Sequence, residues 1–105
     1  MTEVVFHPLA EQELVEAANF YEARAAGLGN DFIGEVEHML AQIAADPEAG
    51  NILAGPIRRR LVRRFPFAIL YQARAQNLSA IALMHLRRRP GYWRRRLRDN
   101  TRTGR

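Results

Sequence analysis

The residues best equipped for chemistry cluster near the C-terminal end, in the run His85-Leu86-Arg87-Arg88-Arg89-Pro90-Gly91-Tyr92-Trp93-Arg94-Arg95-Arg96. Two arginine triplets flank two aromatic rings across a Pro-Gly turn. Guanidinium forks pair bidentately with phosphate or carboxylate, and flat rings stack on bases or clamp a guanidinium. On this reading Arg87, Arg88, Arg89, Tyr92, Trp93 and Arg94 form a recognition surface. A second reading stands beside it, in which Tyr92 and Trp93 fold back to cover the sheet edge while the arginines are solvated. Arg58-Arg59-Arg60, followed by Arg63-Arg64, makes a second basic cluster. Strand alternation sends Arg58 and Arg60 to one face and Arg59 to the other. Arg58 and Arg60 are expected on the face without helices, where they would join the arginines after His85. The competing view is an edge strand protected by its charge.

Other chemistries find little support. His7, His38 and His85 have no metal-ligand spacing to each other or to a carboxylate pair. Ser79 is the only serine and lacks a nucleophile-elbow context. No glycine loop leads into Lys-Ser or Lys-Thr, and the chain has no lysine. The carboxylates of the first helical segment read as a solvated face. No cofactor or metal is expected, and the balance is against an enzyme. Any catalysis would fall to arginine, tyrosine and His85.

The charge is unevenly spread. All 16 basic residues are arginine and the formal net charge is +5. Residues 1–52 carry ten acids against Arg24 alone, a balance of −9. Residues 53–105 carry fifteen arginines against Asp99, a balance of +14, and nine of those arginines fall in the last nineteen residues. Such asymmetry predicts a basic face able to meet nucleic acid or an acidic protein segment. The 105 residues fit one domain, and 48% hydrophobic content is enough for a real core. There is no cysteine, which fits a reducing cytoplasm. Charges interrupt every stretch before the roughly 18 apolar residues of a membrane span, and the N-terminus shows no secretory pattern.

These residues need elements to hold them. Val4-Val5-Phe6 suits a short strand, and Pro8 suits the first turn of a helix. Leu14, Ala17, Ala18, Tyr21 and Ala25 then recur at helical spacing, and Gly27 and Gly29 end the helix. Asn30 or Asp31 is expected to cap a second helix with Phe32, Val36, Leu40 and Ile43 on its stripe, stopped at Asp46-Pro47. Gly34 inside it costs about 1 kcal/mol against alanine and suggests a close approach of the two helices. Residues 47–56 read as a loop. Ile57 to Phe65, Phe67 to Ala73 and Leu78 to Leu86 read as a meander of three strands. The expectation is a single α+β domain of two layers. An N-terminal strand leads to an antiparallel helix hairpin, then a three-stranded antiparallel meander, with both helices on one face and a flexible basic tail over residues 97–105.

Three local patterns in this order resemble the RelE/ParE toxin superfamily across residues 3–96. The opening strand runs into Pro8 and an acidic helix holding Asn19-Phe20-Tyr21-Glu22. Arg60-Leu61-Val62-Arg63-Arg64-Phe65-Pro66-Phe67-Ala68-Ile69-Leu70-Tyr71 is similar to the family's "R…FPY.I.Y" hairpin, and Ile81 through Trp93 to the "V.AV.H..R.P.YW" ending of ParE-like sequences. The resemblance implies the toxin of a type II toxin–antitoxin (plasmid stabilisation) system. It also implies a ParD-like antitoxin whose flexible segment wraps it, and cytoplasmic residence. RelE-like members cleave mRNA in the ribosomal A site; here that role would fall to Arg58, Arg60, Arg88 and Tyr92. Arginine is a poor proton acceptor, its pKa exceeding about 12. ParE-like members poison DNA gyrase instead. Ala68 stands where the RNA-cleaving pattern carries arginine, and Trp93 gives the ParE-like form of the ending, so the resemblance leans to gyrase. A non-toxic basic binding module is the third reading.

Overall fold

Pro8 opens the first helix as its position implies. A computed structural model describes residues 3–97. In it β1 (Glu3–Phe6) leads into α1 (Pro8–Arg24), and His7 caps that helix by accepting the Leu9 N–H on Nδ1 at 3.0 Å. The second helix, α2 (Leu28–Ala45), begins earlier than a cap at Asn30 or Asp31 would allow, with Gly27 at the N-cap in the left-handed region (φ 87°). Its capping carboxylate comes from the other helix. Glu22 accepts the N–H groups of Gly27 at 2.9 Å and Gly29 at 3.0 Å, placing negative charge on the positive end of α2.

The close approach between the helices lies at Gly29. A Cβ there would sit 2.5 Å from the Ala18 carbonyl oxygen, whereas one at Gly34 would meet nothing within 4 Å. The expectation for Gly34 is thus corrected: the hairpin closes tightest at its turn.

The strands are β2 (Asn51–Ala54), β3 (Ile57–Leu61), β4 (Phe67–Ala73) and β5 (Asn77–His85), in the sheet order β1-β5-β4-β3-β2. All neighbours are antiparallel except β1 with β5. Part of the expected 47–56 loop is β2. Its register against β3 shifts between Ile52 and Ala54, an irregularity that breaks the alternation by which a strand is read from sequence. The turn from β3 to β4 passes through Arg64 at φ 72°, a left-handed conformation unusual for a side chain of this size.

Both helices lie on one face. Phe32, Val36, Met39 and Ile43 of α2 and Ala17 and Ala18 of α1 pack with Phe67, Ile69, Tyr71, Leu78 and Leu83. Tyr21, Phe32, Phe65 and Phe67 form an aromatic cluster, with ring centroids 4.8–6.3 Å apart. The opposite face holds a second, smaller core of Ile57, Ala68, Leu70, Ile81, Ala82 and Trp93. A register shift between Leu70 and Tyr71 leaves Ile81 without an opposite residue, and both Ile81 and Ala82 join that core. No helix among the described residues is long and apolar enough to cross a membrane. The tail expected over residues 97–105 lies outside the described residues apart from Leu97, which packs against the second core.

Candidate functional site

Beyond β5 the chain folds back across the helix-free face. The Leu86 N–H donates to the Pro66 carbonyl at 2.9 Å, Gly91 turns the backbone at φ 76°, and the turn continues through residue 94 into a short helical stretch at 95–97. Trp93 drops into the second core at 2% exposure. Of the residues expected to meet a target, Trp93 is therefore a packing residue. Tyr92 is half-buried, with the Arg88 guanidinium 3.9 Å and the Arg96 guanidinium 5.0 Å from its ring centroid.

The anchor of this segment is Glu13 on α1. Its carboxylate accepts from the Tyr92 hydroxyl at 2.8 Å, from both terminal nitrogens of Arg96 at 2.8 and 2.9 Å, and from the Leu83 N–H at 3.0 Å. Arg96 also donates to the Ile81 carbonyl at 3.1 Å. β1 pairs with β5 only as far as Ala80. Past that point the Glu13–Arg96 pair takes up the edge N–H of Leu83 and C=O of Ile81, groups a longer β1 would have satisfied. The side chains of the pair are 17% and 8% exposed.

This network sets the local acid–base properties. Burial first, then the bond to Glu13 and its charge, push the Tyr92 phenol well above its ordinary value, against smaller opposing effects of Arg96 and Arg88. For Arg96 burial disfavours the charge, but the Glu13 carboxylate outweighs it and the guanidinium is held above its usual value. Sequence reasoning placed Glu13 on a solvated face. The available signal was its spacing, three residues after Ala10 and four before Ala17, both buried.

The two arginine clusters do not merge. Arg58 and Arg60 share a face, as alternation requires, but it is the helix side: they sit opposite Tyr71 and Ile69 of the main core. Arg58 donates to the carbonyls of Glu48 at 3.0 Å and Gly50 at 2.8 Å, and Arg60 to the Gln42 side chain at 3.2 Å. Their expected place beside the arginines after His85 is corrected: Arg58 satisfies carbonyls of the chain turning after α2, and Arg60 is held by Gln42 on α2 itself. Arg59 goes to the other face instead. Ala68 is fully buried beside Trp93, so the space above it is packed.

Arg87, Arg88, Arg89, Arg94 and Arg95 are exposed, and among the described residues no carboxylate pairs with them. Two hollows flank this ridge, and Arg88 borders both. One, of about 220 Å³, lies against α1 between Glu13, Glu16, His85 and Tyr92 over a floor of Phe67 and Leu83. His85 packs edge-on against Phe67, with its Nδ1 accepting the Arg87 N–H at 3.0 Å. The other, of about 270 Å³, opens on the helix-free face between β2, β5 and the returning segment. No cluster of three His, Asp or Glu side chains among the described residues suits a metal ion.

No protein-family model and no curated protein sequence matches the chain. Among solved structures, the chain is similar to one in the chromosomal ParDE TA system from P. aeruginosa. The TM-score is 0.68 and the identity 13%, covering 82% of this chain and 97% of that one. The likeness is one of architecture: the chain shares the α+β two-layer fold of that ParDE chain.

Proposed function

We propose that this protein is the toxin of a type II toxin–antitoxin pair, that it arrests growth by poisoning DNA gyrase, and that a ParD-like antitoxin neutralises it. The observation that carries the reading is the fold shared over nearly the whole length of a ParDE chain. The exposed arginines Arg87, Arg88, Arg89 and Arg94 would meet the target, where unpaired guanidiniums suit an acidic protein surface or DNA phosphates held by the enzyme. Cytoplasmic action follows from such a target.

The state of Tyr92 supports poisoning over RNA cleavage. Its hydroxyl already donates to Glu13 and its ionisation is strongly disfavoured, so it is ill suited to take a proton from a ribose 2′-OH. Arg58 and Arg60 are engaged on the other face. The chain would then act by binding alone.

The test is induction of the chain alone and with its neighbouring antitoxin gene, followed by a supercoiling assay with purified gyrase. Growth arrest relieved by the antitoxin, with inhibited supercoiling or trapped cleaved DNA, is expected. The Arg87→Glu/Arg88→Glu variant should lose the inhibition while keeping its fold. Codon-positioned cuts in mRNA with gyrase untouched would replace this reading with the ribonuclease one, and unimpaired growth would end both.

A further inference from the structure

The hollow on the helix-free face combines three features that together select a ligand. Its apolar lining is Leu53 from the irregular part of β2, Met84 from β5, and Leu86 and Trp93 from the returning segment. Leu53 is 39% and Leu86 47% exposed, so the lining is open to an incoming side chain. Its rim is cationic. Arg59, Arg88 and Arg94 surround it, none has a carboxylate partner among the described residues, and residues 53–97 contain no acid at all. Two rim guanidiniums are held in place by rings: Arg94 lies 5.2 Å from the Trp93 centroid and Arg88 3.9 Å from that of Tyr92. Pre-positioned charge lowers the ordering cost of binding an anion.

We infer that this hollow is the docking site for an acidic protein segment that inserts a leucine-like side chain between flanking carboxylates. Carboxylates match the fork geometry of the three arginines, and the apolar floor gives the inserted side chain a place to leave water. A nucleic acid is the poorer fit. Trp93 is 2% exposed and the Tyr92 ring already carries two guanidiniums, so neither offers a free face for base stacking. The inference stands on the hollow alone and does not require that gyrase be the target. Because Arg88 and Arg94 belong to the exposed ridge, an occupant of the hollow and a target on the ridge would exclude one another.

Trp93 is the only tryptophan and lines the hollow, so its fluorescence reads occupancy directly. The full chain is titrated with the peptide acetyl-EDELLEDE-amide, with the same peptide carrying Ser for both Leu, and with poly(U). The leucine peptide should shift Trp93 emission and bind about tenfold more tightly than the serine peptide, the value of one well-buried apolar group. Arg59→Ala should weaken it about tenfold and Leu53→Glu further, each with circular dichroism and melting temperature unchanged. Equal binding of the serine peptide would reduce the site to bulk charge and overturn the inference. So would tighter binding of poly(U) with the same sensitivity to Leu53→Glu, or self-association of the chain abolished by that variant. No binding of the leucine peptide at millimolar concentration would overturn it outright.

Discussion

Replacing Glu13 by alanine should do more damage than any other single change of an acid in this chain. Four hydrogen bonds end on its carboxylate, two of them from a guanidinium only 8% exposed. Glu13→Ala strands the Arg96 charge, and removing one partner of such a pair costs about 3–5 kcal/mol. The orphaned Leu83 N–H and Tyr92 hydroxyl can recover water only if the segment lifts, and each costs about 1–3 kcal/mol if it does not. Against the total stability of about 5–15 kcal/mol usual for a domain, detachment of residues 86–97 is the cheaper outcome. Trp93 would then leave the second core. Urea titration followed by Trp93 emission should therefore show an early red-shift, ahead of the loss of helix circular dichroism, whereas in the parent the two probes coincide. Glu13→Ala/Arg96→Met should recover about 1–3 kcal/mol of the loss, since no charge is left unpaired. Glu16→Ala, whose carboxylate accepts from the exposed Gln12 side chain at 3.0 Å, should change stability by less than about 0.5 kcal/mol. If Glu13→Ala costs under about 1 kcal/mol and Trp93 stays buried, the Glu13–Arg96 pair does not hold the segment.

The glycines of α2 give a pair of opposite sign. Gly29→Ala forces a Cβ against the Ala18 carbonyl and the Glu22 cap and should destabilise by about 1–3 kcal/mol, whereas Gly34→Ala points into open space and should stabilise by about 0.5–1 kcal/mol; chemical denaturation measures both. All three tyrosines have phenols raised above 10.0, with burial the leading cause in each. A raised acid contributes its stability below its unfolded value and loses it as pH climbs through the folded one, so alkali should unfold the chain cooperatively, with tyrosinate absorbance rising in the same transition. Independent ionisation of the tyrosines near 10.0 with the fold intact would contradict their burial. Tyr92→Phe should cost about 1–2 kcal/mol in urea titration and leave gyrase inhibition intact if the hydroxyl is structural, while loss of activity without loss of stability would point to catalysis.

Much of the architecture is legible without coordinates because it is local. Pro8, the apolar stripes of the two helices and the strands around Pro66 follow from backbone stereochemistry and from a periodicity of 3.6 or 2 residues, which any reader of the chain can count. The parity of Arg58, Arg59 and Arg60 is likewise a property of one strand. Which side of the sheet that parity faces is not, because it depends on where the helices land; the arginines expected on the bare face turned to the helix side, Arg58 bonded to carbonyls after α2 and Arg60 to Gln42. β2 is not legible in the sequence because its irregular register hides the alternation. The two readings of the Tyr92–Trp93 segment were indistinguishable in one dimension, since an arginine-flanked aromatic pair serves equally as a surface or as a cover. The decision came from Glu13, 79 residues away from Tyr92. A carboxylate on α1, at the point where β1 stops pairing, supplies what the edge of β5 lacks and draws Arg96 and Tyr92 onto it. That contact made Trp93 core, left five arginines of this segment exposed, and opened between Arg59, Arg88 and Arg94 a hollow that no spacing in the sequence foretells. Sequence determines what each element is made of; the satisfaction of buried polar groups across distant elements determines which surface they leave free.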